Sequence, residues 1–248
     1  MCDAPHHRLN GWQRWQPVLT QPELVSTQAW TDLSHTLHND IPVPKIFPKP
    51  LFSKVRSIPE FVLNVSHMDM VTHLGTHLDA PAHVFANGPT IEQIPPAYFH
   101  GSGVVWRIDL KAREPITKAV LQACQPEVRA GDFVLLSTGW GEWYGTDQYF
   151  ESPYLTEDAA HWLVEQGVKC VGIDFVSPEL PFSMRPERFD YPVHRILLGH
   201  GVLVIENLAS CRTLEEKRVE VVCGALKIEG SDGSPARIFA REATIRSI

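Results

Sequence analysis

The stretch from Thr72 to Phe85 reads T-H-L-G-T-H-L-D-A-P-A-H-V-F, and it constrains the chain more than any other. His73, His77, Asp79 and His83 fall within eleven residues, all at odd positions. In an extended chain, side chains two apart share a face. A strand therefore puts the four groups on one side, with Gly75 between the first two histidines, where no side chain blocks the space they share. A helix does this less well. It would bring His73 and His77 together at i, i+4 but turn Asp79 away from both, at about 3.6 residues per turn. Gly75 and Pro81 also disfavour a helix interior. The expectation is a strand that runs into an irregular loop near Ala80–Pro81. Imidazole nitrogens and a carboxylate oxygen suit Zn²⁺ or Mn²⁺. A lone histidine is usually an ordinary polar residue on a solvated face. Four potential ligands on one face around a glycine read as a metal site.

The rest of the chain is consistent with a globular enzyme. Its 248 residues are 44% hydrophobic and 21% charged, enough for a full core. We expect a single domain over residues 1–248, with residues 1–29 as an N-terminal arm. In and just after that arm, Trp12, Trp15 and Trp30 are read as anchors onto the core or a second subunit, or as pocket residues. The net charge of −7 argues against a nucleic-acid partner. No apolar run approaches the roughly 20 residues that span a membrane, and Met1–Leu9 lacks the apolar region of a signal peptide. Five cysteines without a C-x-x-C spacing fit free thiols in a reducing cytoplasm. There is no G-x-S-x-G nucleophile turn, no phosphate-binding P-loop and no G-x-G-x-x-G.

Trp30–Leu37 reads as a strand leading into a stiff loop, Ile41–Pro50, which holds four prolines and Phe47. Phe61–Val71 alternates weakly and is expected to feed the metal strand. His67 and Asp69 there are either solvated or placed behind the ligands. Short β-rich runs follow at Val104–Leu110, Phe133–Ser137, Lys169–Asp174, Val202–Glu206, Val219–Ile228 and Ala236–Ala240. Helical patterns lie between them. They are Thr117–Ala123, capped by Thr117; Thr156–Gln166, capped by Thr156; and Asp190–Leu198, with Asp190 as cap and Pro192 in the first turn. The alternation indicates an α/β or mixed α+β core. The run V-L-V-I ending in Glu206 is notable, because acids are rarely buried without a partner. Helix and strand lie back to back there, so His194 and Glu206 can come near each other.

The string His73–His83, H-x-G-T-H-x-D-x-P-x-H, resembles the signature of the cyclase superfamily of metal-dependent hydrolases, which includes bacterial kynurenine formamidases and isatin hydrolases. D-L-S-H-T-L followed by P-V-P, near Asp32, is similar to that family's opening segment. The resemblance implies a swivelling β/β/α fold with a central barrel-like sheet. It also implies a second ligand pair, His194 and Glu206, with Asp79 bridging two metals, although some relatives use one Mn²⁺. It places Phe47 on an aromatic substrate wall and makes His83 the general acid/base; the competing assignment makes His83 a fourth ligand. It further implies a homodimer or a dimer of dimers.

A metal ion that acidifies water provides a nucleophile at neutral pH, and imidazole titrates in the range needed to protonate a leaving nitrogen. The expected function is hydrolysis of a non-peptide C–N bond with Zn²⁺ or Mn²⁺, one or two ions per chain. The substrate is a small aromatic amide, N-formylkynurenine first and a cyclic amide such as isatin second. Phe47, Trp106, Trp140, Trp143 and Tyr144 are available to line its pocket. A non-catalytic metal- or ligand-binding protein of the same fold is the alternative of a different class. The presence of His83, which binding alone does not need, counts against it.

Overall fold

The computed structural model describes residues 11–15 and 24–245. The strands of its main sheet, in chain order, are β1 (Thr31–Asp32), β2 (His77–Asp79), β3 (His100–Arg107), β4 (Phe133–Ser137), β5 (Cys170–Ile173), β6 (Leu203–Glu206), β7 (Lys217–Ala225) and β8 (Gly233–Glu242). Around the sheet they run β7-β3-β4-β5-β6-β2-β8, and β7 pairs with β8 to close a seven-stranded barrel; β1 adds to β8. The chain thus adopts the mixed α/β class with a barrel-like central sheet.

Strands β3 to β6 are mutually parallel. Parallel neighbours cannot be joined by a tight hairpin, so each connection crosses over the outside. The crossovers carry α1 (Lys118–Gln122), α2 (Glu157–Glu165) and α3 (Pro192–Gly199). Covered on both faces, these strands are continuous apolar runs. F-V-L-L-S in β4, C-V-G-I in β5 and L-V-I-E in β6 are buried at every residue. In antiparallel β7 burial alternates instead, with Val219, Val221 and Cys223 turned inward.

The helix starts follow local chemistry, with two departures from expectation. Thr117 caps α1, its hydroxyl accepting from the Val120 N–H at 3.4 Å. Thr156 sits at the N-cap of α2, but its hydroxyl donates to the Ile116 carbonyl at 3.2 Å and makes no cap bond. The cap of α3 is Tyr191 rather than Asp190. Pro192 takes the first helical position and disfavours right-handed backbone in the residue before it. Tyr191 sits outside both the helical region and the extended region usual before a proline, at φ 55°, uncommon for a residue with a side chain.

The segment before the ligand string also differs from expectation. Val65–Asp69 does not continue into a metal strand. It pairs with Leu51–Arg56 in a separate two-stranded ribbon, where His67 and Asp69 are exposed. The ribbon is strongly apolar for a surface element, with Leu51, Val55, Ile58, Phe61, Val62 and Met68 all exposed. Of the expected N-terminal arm, residues 1–10 and 16–23 lie outside the described residues. Residues 11–15 are tied to the core: the Trp15 ring lies 4.9 Å from both Trp12 and Tyr98, and the Gln13 N–H donates to the Gly199 carbonyl. Cys124, Cys170, Cys211 and Cys223 are free thiols. Among the described residues, no helix is long and apolar enough to cross a membrane.

At Gly103 the barrel wall leaves no room for a side chain. A Cβ there would stand 2.7 Å from the Phe133 carbonyl oxygen and 2.9 Å from the Phe133 Cβ on the neighbouring strand. Neither atom can yield without moving backbone. Gly103→Ala should therefore destabilise the protein by about 1–3 kcal/mol, read as a lower urea midpoint at unchanged slope.

Candidate metal centre

Three consecutive local structures, rather than one flat strand, gather the ligand string. Residues 72–76 form turns, His77–Asp79 is strand β2, and Pro81–His83 is one turn of 3₁₀ helix. The extended reading fails at Gly75, which has φ 62°. Its glycine is not needed to open space between histidines. It takes a left-handed turn beside Leu37, whose Cδ2 would lie 2.5 Å from an added Cβ. The turn swings His73 back onto the cluster. Gly233, the first residue of β8, leaves room for that ring, since a Cβ there would meet His73 Cε1 at 2.7 Å.

Register brings the second half of the site in. β2 lies between β6 and β8, with His77 opposite Glu206 and Asp79 opposite Gly233. Thr76 locks this entry: its hydroxyl donates to the Asn207 carbonyl at 2.6 Å and accepts the His35 N–H at 2.9 Å. On α3, His194 reaches Glu206, Nε2 to Oε1, at 3.2 Å. His73, His77, Asp79, His83, His194 and Glu206 therefore converge in one cluster. Asp79 is its hub: Oδ1 lies 2.8 Å from His73 Nδ1 and 3.3 Å from His77 Nε2, while Oδ2 faces His194 Nε2 at 3.6 Å. The His83 ring is 4.1 Å from His73 and 5.6 Å from His194.

Outer partners fix the tautomers. His77 Nδ1 donates to the Gly75 carbonyl at 2.8 Å, and His194 Nδ1 donates to Glu179 Oε1 at 2.9 Å. Each thereby turns Nε2 inward, the arrangement that second partners impose on metal-binding histidines. His73 Nε2, His77 Nε2 and Asp79 Oδ2 are buried and make no well-formed hydrogen bond, only charge contacts at 3.0, 3.3 and 3.6 Å. Orphaned buried polar atoms are costly and call for an explanation. A divalent cation supplies one, and the donor set of imidazole nitrogens and carboxylate oxygens fits Zn²⁺ or Mn²⁺. Ligand atoms lie close enough together for a cation within His73, Asp79 and His83, and again within His77, Asp79 and Glu206, so Asp79 belongs to both groups.

Electrostatics points the same way. Asp79, Glu179 and Glu206 are all buried, and carboxylates there need compensating positive charge. Burial pushes the His77 imidazole down, but Asp79 and Glu206 outweigh it and hold its pKa at about 10. Burial is likewise outweighed at His73, held at about 9 by Asp232 and Asp79, and His194 lies well above its ordinary value through Asp79 and Glu179. Against its own burial, Asp79 is held well below the usual carboxylate range by His194, His73 and His77. Either protons on imidazoles or a metal cation balances this charge.

The cluster forms one end of a cavity of about 310 Å³. Phe47 lines it, as do Pro42, Pro44, Phe150, Phe182 and Tyr191. The other aromatics singled out in the sequence do not. Trp106 and Trp140 are buried in the core, Trp143 is exposed, and Tyr144 stacks on His35 at 3.7 Å. Residues that the sequence did not single out also appear. Glu179 orients His194. Asp232 lies 3.0 Å from His73 Nε2 and 3.4 Å from His83 Nδ1. Tyr149 donates to Asn207 Oδ1 at 2.7 Å. Glu179, an acid among apolar residues in S-P-E-L-P, carried a weak signal; Asp232, in a polar turn, carried none.

A closed barrel with a His/Asp/Glu cluster at the mouth of an aromatic pocket defines a class that sequence comparison identifies. Residues 31–180 match the Cyclase family model, and the chain belongs to the cyclase family. Its relatives include the kynurenine formamidase of Salinibacter ruber (strain DSM 13855 / M31), 30% identical over 189 residues, spanning 76% of this chain and 84% of the relative. The kynurenine formamidase of Bacillus thuringiensis (strain Al Hakam) is 27% identical over 220 residues, 88% of this chain and 99% of the relative. Among solved structures, a potential metal-dependent hydrolase with cyclase activity aligns at a TM-score of 0.72 and 30% identity, over 87% of this chain and all of the other. Isatin hydrolase A from Ralstonia solanacearum shares the fold at a TM-score of 0.75 and 24% identity, over 86% of this chain and 91% of the other.

Zn²⁺ or Mn²⁺ at a hundred times its dissociation constant should stabilise the protein by about 2.7 kcal/mol, seen as a rise in Tm that Asp79→Asn abolishes. The imidazoles at His73 and His77 hold protons tightly, and a cation must displace them. Proton competition weakens as pH rises, so apparent metal affinity should increase from pH 6 to pH 8.

Proposed function

We propose that this protein is a metal-dependent hydrolase of C–N bonds other than peptide bonds, an arylformamidase whose substrate is N-formylkynurenine. The observation that carries this reading is the meeting of the six-residue cluster with an aromatic-walled cavity. Each half alone is compatible with other roles; together they provide a charged centre for an amide carbonyl and a dry slot for an arene.

In this reading His73, His77, Asp79, His194 and Glu206 would hold the divalent cation, one or two per chain. A divalent ion there supplies Lewis acidity and acidifies a water near neutral pH. Everything else falls to the side chains. Phe47 and its neighbours hold the aryl group and exclude water, so that charge interactions in the slot are strong. His83 gives the proton that lets the nitrogen leave. It faces the cavity, and Asp232 Oδ2 beside Nδ1 orients its ring. Hydrolysis adds water across the formyl C–N bond and releases formate and the free amine. A second reading, opening of a cyclic amide such as isatin, uses the same groups. It is favoured by the fold shared with isatin hydrolase A.

We further propose a homodimer or a dimer of dimers, working in the cytoplasm. The exposed apolar ribbon supports the association, because a patch of this kind rarely stays in water. The free thiols support the compartment.

The test is turnover of N-formylkynurenine beside isatin by metal-stripped protein with Zn²⁺ or Mn²⁺ restored. Metal-dependent release of formate is expected, with isatin the poorer substrate; a metal-loaded protein that turns over neither would overturn the reading. His83→Ala should lower kcat by about 10²–10⁴ while retaining metal binding, and full activity in that variant would remove His83 from the mechanism.

A further inference from the structure

Arg185 is the one lysine or arginine among the described residues that line the cavity. Its surroundings are unusual for a surface arginine. The guanidinium carbon lies 4.0 Å from the centre of the Phe182 ring and 5.1 Å from each of Phe189 and Tyr191. Nε donates to the Leu180 carbonyl at 2.7 Å, and one terminal nitrogen donates to the Tyr191 hydroxyl at 3.4 Å. The group is thus aimed and partly stripped of water. No carboxylate among the described residues forms an ion pair with it; the same holds for Arg56, Arg129, Arg188 and Arg195, but of these arginines Arg185 alone lines the cavity.

Arginine stays charged at any physiological pH, and its planar fork matches a carboxylate. An oriented, partly desolvated cation facing a pocket gains most from an anion arriving with the ligand. Position narrows the choice of anion. The Tyr191 ring neighbours both groups, 5.1 Å from the Arg185 guanidinium carbon and 6.0 Å from the His194 ring, and Arg185 lines the same cavity as His73, His83 and His194. The rest of the lining adds the Ser177 hydroxyl, the Asn207 amide and the cluster histidines to its apolar and aromatic walls, but no second lysine or arginine.

We propose that Arg185 determines the specificity of this pocket by binding a carboxylate carried by the aryl amide, so that the preferred substrates are acids rather than neutral amides. This rests on the amide-hydrolase reading above. The competing role is structural: Arg185 as a clamp on the 182–191 loop, held by its three rings. A clamp acts on every substrate alike, whereas a carboxylate partner acts only on the acid.

The test compares holoenzyme with Arg185→Gln and Arg185→Lys on N-formylkynurenine and on its α-carboxamide, which differ only in that charge. The native protein should favour the acid by at least tenfold in kcat/KM, expressed in KM. The preference should collapse towards unity in Arg185→Gln and return in part in Arg185→Lys. If both substrates lose activity together, or the ratio is unaltered, the proposal is overturned while the hydrolase reading stands. If the native protein turns over neither, that reading fails, and the proposal is judged by calorimetric binding of kynurenine against kynurenine carboxamide. Loss of at least tenfold in affinity for the acid alone on Arg185→Gln supports it. An acid preference that survives the substitution assigns the carboxylate to the metal and overturns it.

Discussion

A carboxylate removed from water has to be met by positive charge, and Asp79, with no solvent exposure, is the group around which this site is built. Three imidazoles approach it from three separate elements: His73 from a turn, His77 from its own strand and His194 from a helix. Each would be an ordinary polar side chain on its own. Their positions follow from the barrel, because β2 is too short to stand alone and survives only between β6 and β8. The register that pairs His77 with Glu206 brings the second carboxylate in. One slipped residue would turn the ligands to the opposite face.

The outer layer keeps this inner layer usable. Glu179 and the Gly75 carbonyl hold two histidines in the tautomer that offers Nε2 inward. Tyr149, Asn207 and Thr76 form a chain of hydrogen bonds from the pocket wall to the start of β2. The pocket is therefore continuous with the cluster, and the strained backbone at Tyr191 lies at the junction. Tyr191 takes a left-handed conformation immediately before Pro192, and its ring neighbours both His194 and Arg185.

Much of the site was legible in the sequence. Ligand chemistry depends on residue type, and His73, His77, Asp79 and His83 are close enough along the chain to be close in space under almost any local conformation. His194 and Glu206 were readable because a helix and the strand after it return on each other over few residues. A strand face was expected to align the first four groups, whereas a turn at Gly75 and a 3₁₀ turn at His83 do so. Residue parity cannot register a glycine held at positive φ by packing against Leu37, about 40 positions earlier in the sequence.

The sequence by itself determined the α/β class, from the alternation of β-rich and helical patterns, and the supply of candidate ligand types in one short string, since these depend on composition and short-range pattern. Tertiary structure alone decided which residues complete the site. Asp232 arrives from the turn before β8, Glu179 from the segment after β5, and Arg185 from the loop before α3. Of the aromatics considered, Phe47 reaches the cavity, while Trp106 and Trp140 go to the core. Such contacts join residues tens to hundreds of positions apart, and they exist only once the barrel has closed. Side-chain identity is local, but proximity across a closed sheet is a property of the whole chain.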